Sequence, residues 1–420
     1  MKKYYSLVAT AALLAGMTLT SCKEKAAEKT EEETEKTVLV EETIESMMDS
    51  TKTSIVYEYD DMGHLLRKVT GPGSTEEFVE AYTYDEAGRM LTWHEKYADG
   101  TFGMYKTYQY NEKGDTLLAV LENCNSGDKE VLDKTTYEYD QDNRLIHKYE
   151  YHAYMPEGEF CEFSDMVKRY DYDKDGRLTA TSGCDVEYGG ETEYPSLKLS
   201  KTLPANPADE YSQLLAQRTM TKPVVRTYTY NGKGALSEAT EDETHTTYTY
   251  NEQGKLTRIH SVTRYPDDDT TYESSILFEY DKAGHCIKEE NVSEGYGYIN
   301  YVEYNAQGDT AMFVNTELPD NNVYSKQLRL YHENGKLKDI YRFRGETLSW
   351  GYENNIAEHE IYDEQGLLIQ KDTYQAAEDF ITIERKSTLE PEAEFKALLK
   401  KFGYKLLTTT RYKYSKLQKS

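Results

Sequence analysis

The sequence predicts a mainly β protein built from repeated antiparallel β-hairpins, and three observations predict it. The pattern YDYDKDGRL at residues 170–178 recurs in about eleven related copies along the chain. The chain contains 40 tyrosines among 420 residues, and this pattern explains a large share of them. Within each copy, tyrosines alternate with polar residues before a turn signal, which is typical of strands joined in hairpins. A short pattern that recurs so often indicates a repeat architecture.

Each copy predicts a strand, a tight turn and a second strand. Tyr170 and Tyr172 are two residues apart, so both rings lie on one face of a strand. Asp173 opens the turn, since its side chain can accept a hydrogen bond from a backbone N–H two residues further on. Gly176 then takes the left-handed position of a bulged type I turn. This geometry places Tyr172 opposite Leu178 on the neighbouring strand.

The same two turn positions recur in the other copies. Asn143 stands where the other copies have glycine, and asparagine is the side chain that tolerates positive φ best after glycine. The predicted structural turn residues are Asp60, Gly63, Asp85, Gly88, Asn111, Gly114, Asp140, Asn143, Asp173, Gly176, Asn231, Gly234, Asn251, Gly254, Asp281 and Gly284.

A calcium loop is the alternative interpretation of the turn at Asp173 and Asp175. Such a loop needs further oxygen ligands and a bidentate acid about twelve positions from its start. The residues after Gly176 read RLTATSGC, and the next carboxylate is Asp185. We therefore predict no metal site, and we assign Asp173 to the turn.

Two segments interrupt the repeats, and they divide the chain. Residues 195–226 are rich in proline, and within them Asn206 can cap a short helix with Pro207 at its first position. Residues 376–420 contain the helical pattern EPEAEFKALLKKFG and a final strand, predicted to cap the last repeat. The predicted divisions are 1–21 signal peptide, 22–52 tether, 53–194 first half of the array, 195–226 insertion, 227–375 second half, and 376–420 cap.

The amino terminus resembles a bacterial lipoprotein signal. Lys2 and Lys3 precede an apolar run, and Leu19-Thr20-Ser21-Cys22 resembles a lipobox. The resemblance implies lipidation of Cys22 and cleavage before it. The charged residues that follow have no aromatics and predict a solvated tether. They also resemble surface-export signals of some Gram-negative lipoproteins, so we expect a lipid-anchored protein of the outer membrane, at the cell surface or otherwise on the periplasmic face.

Charge and cysteine content narrow the classes of partner. Acidic residues outnumber basic ones by 76 to 49, giving a net charge of −27. Such a surface repels phosphate backbones, so we predict no nucleic-acid partner. Besides Cys22, the chain has Cys124, Cys161, Cys184 and Cys286, without CxxC spacing. Disulfides and free thiols both remain open at this point.

The pattern Y-x-Y-D-x-x-G-R-L resembles the YD repeat of the Rhs family over roughly residues 55–370. The resemblance implies that the hairpins form one continuous, winding, open sheet, like part of a shell. This chain departs from toxin-bearing members because it lacks the DPxGL core motif and a following toxin domain. The resemblance therefore implies a fold and no toxin activity.

Function is predicted as binding or adhesion rather than catalysis. The sequence contains no G-x-S-x-G, H-E-x-x-H or G-x-G-x-x-G motif, and we predict no enzyme activity, catalytic residue or cofactor. Trp93 and Trp350 are candidate ligand contacts, because exposed aromatics stack on sugar faces. The expected ligand is a glycan or a surface protein, bound by the polar sheet face and loops, with the tyrosine–leucine face buried. The alternatives are an envelope scaffold or spacer and, less favoured, a glycan-active hydrolase.

Overall fold

The computed structural model describes residues 36–124, 130–152, 166–184, 201–215, 224–265, 270–344, 356–376, 383–385 and 390–417. The chain divides into two units, residues 1–37 and residues 38–420, and almost all described residues belong to the second. Cys22 and Trp350 lie outside the described residues. Neither helix described below has the length and apolar character needed to cross a bilayer.

Antiparallel strands make up most of the described chain, with successive strands paired as neighbours. The strands are β1 Thr37–Ser46, β2 Lys52–Tyr59, β3 Leu65–Thr70, β4 Phe78–Tyr84, β5 Met90–Tyr97, β6 Phe102–Tyr110, β7 Thr116–Asn123, β8 Glu130–Tyr139, β9 Leu145–His152, β10 Met166–Tyr172, β11 Leu178–Cys184, β12 Val224–Tyr230, β13 Leu236–Glu241, β14 Thr244–Tyr250, β15 Leu256–Tyr265, β16 Thr270–Tyr280, β17 Cys286–Ser293, β18 Tyr296–Tyr304, β19 Thr310–Leu318, β20 Asn322–Tyr331, β21 Leu337–Arg344, β22 Ile356–Tyr362, β23 Leu368–Gln375 and β24 Lys405–Lys416. Two short helices accompany them, α1 Pro207–Leu215 and α2 Pro391–Lys401.

The sheet is closed, and the prediction of an open, winding sheet with a capping helix is wrong. β1 pairs with β2 on one side and with β24 on the other, so all 24 strands form one ring. Arg411 of β24 contacts Glu45 of β1 at 2.9 Å, and the backbone N–H of Met47 donates to Leu407 O at 2.7 Å. β24 carries its own tyrosine pair, Tyr412 and Tyr414, and β1 is the strand that pairs with it to close the sheet. Since closure removes the open end, α2 has no end to cap.

The turns position the tyrosine pairs. At the opening pattern, Tyr172 lies opposite Leu178, with a bulge before Tyr172. The backbone N–H of Gly176 donates to Asp173 O at 3.0 Å, and Gly176 has φ of +78°. Asp173 Oδ1 also accepts from the backbone N–H of Arg177 at 2.9 Å, which lowers the pKa of that carboxyl below its ordinary value. Asn143 has φ of +66°.

Most neighbouring hairpins are joined through the second tyrosine of the pair, although Tyr362 instead donates to Glu360 at 2.7 Å. In the joined hairpins the tyrosine hydroxyl donates to a backbone carbonyl at the start of the preceding hairpin's second strand, as Tyr172 donates to Leu145 O at 2.9 Å and Tyr280 to Leu256 O at 2.7 Å. The residue after the turn glycine contacts the second tyrosine of the following hairpin. The guanidinium carbon of Arg177, for example, lies 5.2 Å from the centre of the Tyr230 ring. The second tyrosine, the turn-opening residue, the glycine and the basic residue after it therefore all have structural roles.

Replacing Gly254 tests the turn geometry alone. Gly254 has φ of +78°, and nothing lies within 4 Å of where a Cβ would be. Gly254→Val should lower the free energy of unfolding by more than about 1–2 kcal/mol, because a β-branched residue is forced into positive φ. Gly254→Asn should cost distinctly less, as Asn143 illustrates. Thermal midpoints measure the difference, and equal midpoints for the two variants would contradict the bulged turn.

The apolar residues concentrate under the two helices. α1 contacts β8 and β9, and α2 contacts β20 and β21. Leu118, Val120, Val131 and Tyr151 form one buried cluster, and a larger cluster surrounds Phe395 of α2. Strand alternation places both clusters on the face opposite to the second tyrosines of the repeats. The expectation that the tyrosine–leucine face is the buried one is therefore incomplete, since the opposite face is buried wherever a helix covers it.

Candidate functional site

The residues singled out from the sequence do not converge on one site. Trp93 lies on β5 opposite Tyr82, half-buried on the tyrosine face. The turn residues stand along one edge of the ring and serve the hairpins. Cys124 and Cys286 are free thiols, and burial raises the pKa of the Cys286 thiol, which disfavours the reactive thiolate. A candidate site lies instead where separate elements pack together, namely where α2 packs on β20 and β21.

A buried ion pair fixes α2 to the sheet. Lys326 of β20 is 1% exposed, and its Nζ contacts Glu394 Oε1 of α2 at 2.6 Å. The same Nζ donates to the backbone carbonyl of Glu384 at 3.0 Å. A charge buried this deeply is tolerated only where it is paired and hydrogen-bonded. The pair therefore links α2 directly to β20.

Aromatic packing completes the attachment of α2. Phe395 is 3% exposed and lies 4.9 Å from Tyr341 and 5.1 Å from Phe343, measured between ring centres. His359 stacks on Tyr341 at 4.5 Å and contacts Asp339 at 2.9 Å. Rings at these separations and tilts stabilise one another beyond simple burial. These ring contacts hold α2 against the sheet.

A groove of about 650 Å³ lies beside the amino-terminal end of α2. Met312, Leu328 and Leu330 contribute its apolar floor, and Glu390 and Pro391 contribute from the helix side. Polar residues from the turns of two hairpins complete the lining, namely Asn305, Gln307, Asp309, His332 and Glu333. We call this space the α2 groove.

Three carboxylates of the α2 groove make no ion pair with any residue that the structure describes. Glu303, Glu333 and Glu390 line it and are exposed. Within the part of the chain that the structure describes, none of the three side chains makes an ion pair or a hydrogen bond. By contrast, the deeper Glu394 is paired with Lys326. The groove therefore combines an apolar floor with three carboxylates that no described residue pairs, and Arg329 is the one lysine or arginine in its lining.

A second groove of about 720 Å³ adjoins the first and shares Glu303, Asn305 and Gln307 with it. Tyr301 lines this space, and the guanidinium carbon of Arg385 lies 3.5 Å from the centre of its ring. Asp281 also lines it, and the hydrogen bond from His285 lowers the pKa of the Asp281 carboxyl. The two spaces together form an elongated surface that can hold an extended ligand.

The α2 groove presents carboxylates above an apolar floor. Among the described residues, no three His, Cys, Asp or Glu side chains are placed to hold a metal ion. Carboxylates over an apolar floor complement a ligand that carries both positive charge and aliphatic carbon.

Sequence reasoning missed the three groove carboxylates. Glu303 is the middle residue of a repeat strand, a position that Glu58 and Glu279 also occupy. Nothing local distinguishes it, since its role depends on where α2 docks.

The fold and site define this protein as a closed ring of hairpin repeats with a helix-walled acidic groove. No protein-family model matches the chain, and no curated protein matches it. Similar solved structures include TcdB2-TccC3-Cdc42, with 14% identity over 87% of this chain and 18% of that chain and a TM-score of 0.39. TcdB2-TccC3 is 14% identical over 87% of this chain and 19% of that chain, with a TM-score of 0.38. A porin-like protein from Bacteroides uniformis is 16% identical over 58% of this chain and 97% of its own, with a TM-score of 0.21. This chain spans about a fifth of the TcdB2-TccC3 chains, and likenesses at this level assign it no activity.

Proposed function

We propose that this protein works by binding, and that the α2 groove receives a positively charged, partly aliphatic segment of a partner protein. The observation that supports the proposal is the set of three unpaired glutamates around the apolar floor of Met312 and Leu328. Lysine and arginine side chains satisfy both features, because their stems pack on apolar surface while their heads reach carboxylates. The net charge of −27 further attracts a basic partner.

Attachment to the membrane belongs to the same proposal. Lipidation of Cys22 would tether the protein to the outer membrane and present the groove to partners at the cell surface. Several acyl chains at about 0.8 kcal/mol per buried CH₂ would make this anchoring firm. Cys22→Ala should move the protein from the membrane fraction to the soluble fraction, as measured by immunoblotting. A variant that still sediments with membranes would contradict the lipid anchor.

Peptide binding tests the groove. A synthetic decapeptide of alternating lysine and leucine should bind the purified protein, whereas one of alternating glutamate and leucine should not. Calorimetry should show affinity falling as salt rises from about 50 to 500 mM, because exposed ion pairs are screened. The double variant Glu303→Gln and Glu333→Gln should weaken binding roughly tenfold, at about 0.2–1 kcal/mol per lost surface ion pair.

A matched control is available in another repeat. Glu252 is exposed and occupies the same position in its turn as Glu333 does, outside both grooves. Glu252→Gln should leave the affinity unchanged. If Glu252→Gln weakens binding as much as the double variant, the peptide is attracted by overall charge and the groove is not its site. Selective binding on a glycan array without any peptide binding would show instead that the ligand is a saccharide.

A further inference from the structure

The closed sheet consists of two halves with matching architecture. Counting along the ring, β8 and β20 are twelve strands apart, and each carries a buried lysine that receives a helix. α1 follows β11 and α2 follows β23, again twelve strands apart. Both helices share the pattern Pro-x-x-Glu-aromatic-x-x-Leu-Leu, at residues 207–215 and 391–399. The chain therefore contains a duplicated unit of six hairpins and one helix.

The attachment of α1 repeats the attachment of α2. Lys134 Nζ contacts Glu210 of α1 at 2.7 Å and donates to the backbone carbonyl of Thr202 at 3.4 Å. Tyr149 and Tyr211 lie 5.5 Å apart between ring centres. These contacts correspond one for one to the lysine, glutamate, carbonyl and aromatic pair that hold α2.

Strand register makes the correspondence specific. Lys134 is paired with Val120 on one side and Tyr151 on the other. Lys326 is likewise paired with Val314 and Phe343. Each position of the α2 groove can therefore be matched to a position beside α1 by counting from these lysines and from the prolines that begin the helices.

All three unpaired glutamates have amides at the matched positions. The matches are Glu303 with Gln109, Glu333 with Gln141, and Glu390 with Asn206. All six side chains are exposed. Asn206 Oδ1 accepts a hydrogen bond from the backbone N–H of Ala208 at 3.1 Å and so caps α1, whereas the Glu390 side chain makes no such bond to α2. The first half thus lacks the three negative charges, and one of its three amides, Asn206, caps the helix α1.

The floors differ as well. Leu328 and Leu330 of the α2 groove match Thr136 and Glu138 in the first half. Glu138 is already engaged, because it accepts a hydrogen bond from Tyr149 at 2.8 Å and contacts His147 at 3.0 Å. Of the three floor positions, only the match of Met312, Leu118, is therefore apolar beside α1, and the unpaired carboxylates are missing there.

We infer that the two halves have diverged into one structural attachment and one recognition site, so that each chain binds a single cationic ligand. Glu303, Glu333 and Glu390 are the specificity-determining residues of that site. This inference rests on the proposed function and adds to it the number of ligands, the half that binds, and the three side chains that distinguish the halves.

Calorimetric titration of the full chain with the lysine–leucine decapeptide tests the inference. The expected result is one peptide per chain. The triple variant Glu303→Gln, Glu333→Gln and Glu390→Gln gives the second half the amide character of the first, and it should bind at least tenfold more weakly. The control variant Gln109→Ala and Gln141→Ala alters exposed matched positions of the first half, and it should retain the affinity and the stoichiometry.

The outcomes separate the inference from the proposed function. Two peptides per chain, or weaker binding by the Gln109 and Gln141 variant, would show that the first half also binds, which overturns the inference and leaves binding intact. Unchanged affinity of a folded triple variant would remove the three glutamates from the site. No binding by the unaltered protein would instead refute the proposed function itself. Circular dichroism spectra matching the unaltered protein establish that each variant is folded.

Discussion

Deletion of residues 405–420 is expected to abolish the soluble native fold. The deletion removes β24, which pairs with β23 over Gln370 to Gln375 and joins β1 to close the ring. β1 and β23 would then become unpaired edges, and exposed edge strands template aggregation. It also removes Thr409, whose buried hydroxyl donates to Asp372 at 2.7 Å. Size-exclusion chromatography and thermal unfolding should show aggregated material without a cooperative transition.

A shorter deletion provides the control. Removal of residues 418–420 leaves β24 complete, so the elution volume and the thermal midpoint should equal those of the full chain. A soluble, cooperatively unfolding protein without residues 405–420 would show that ring closure is dispensable.

Replacement of Lys326 by methionine is expected to lower the free energy of unfolding by about 3–5 kcal/mol, because the carboxylate of Glu394 remains buried without its partner. Glu394 is 6% exposed and cannot be fully rehydrated while α2 stays docked. Combining Lys326→Met with Glu394→Leu removes both charges and should recover most of the loss, since apolar replacement of a buried pair is often neutral. Chemical denaturation of the three proteins measures these differences.

The same helix contains an exposed pair for comparison. Lys396 contacts Glu392, and both side chains are more than half exposed. Lys396→Met should change the free energy of unfolding by less than about 0.5 kcal/mol, as exposed helical pairs contribute little. Equal effects of Lys326→Met and Lys396→Met would show that the buried pair does not hold α2 in place.

The hairpins could be predicted from the sequence because their signals are local. A tyrosine pair, an opening aspartate such as Asp173 and a glycine such as Gly176 lie within a few residues, and together they specify turn and register. Ring closure could not be predicted this way. It depends on the accumulated curvature of twelve hairpins and on β24 meeting β1 across the whole length of the chain, and no short pattern encodes that sum.

The groove escaped prediction for a related reason. Lys326 and Glu394 are 68 residues apart, and a lysine on a repeat strand normally indicates a solvent-facing position. A signal was nevertheless present in the sequence. The string Pro-x-x-Glu-aromatic-x-x-Leu-Leu occurs in both interrupting segments, and its recurrence indicated that both use one docking mode. That Lys134 and Lys326 occupy matching positions can be recognised only from the strand pairing.

Closure of the ring has a consequence for how such a chain can evolve. An open array accepts or loses one repeat at its end, because each repeat contacts only its neighbours. In a ring, removing one hairpin would separate β24 from β1 and alter the curvature of every remaining repeat. Inherited length changes are therefore restricted to the connections. Glu122 is paired with Val131, whereas the matched Thr316 is paired with Val323, so the two connections differ in length by two residues while the strands on either side have matching partners.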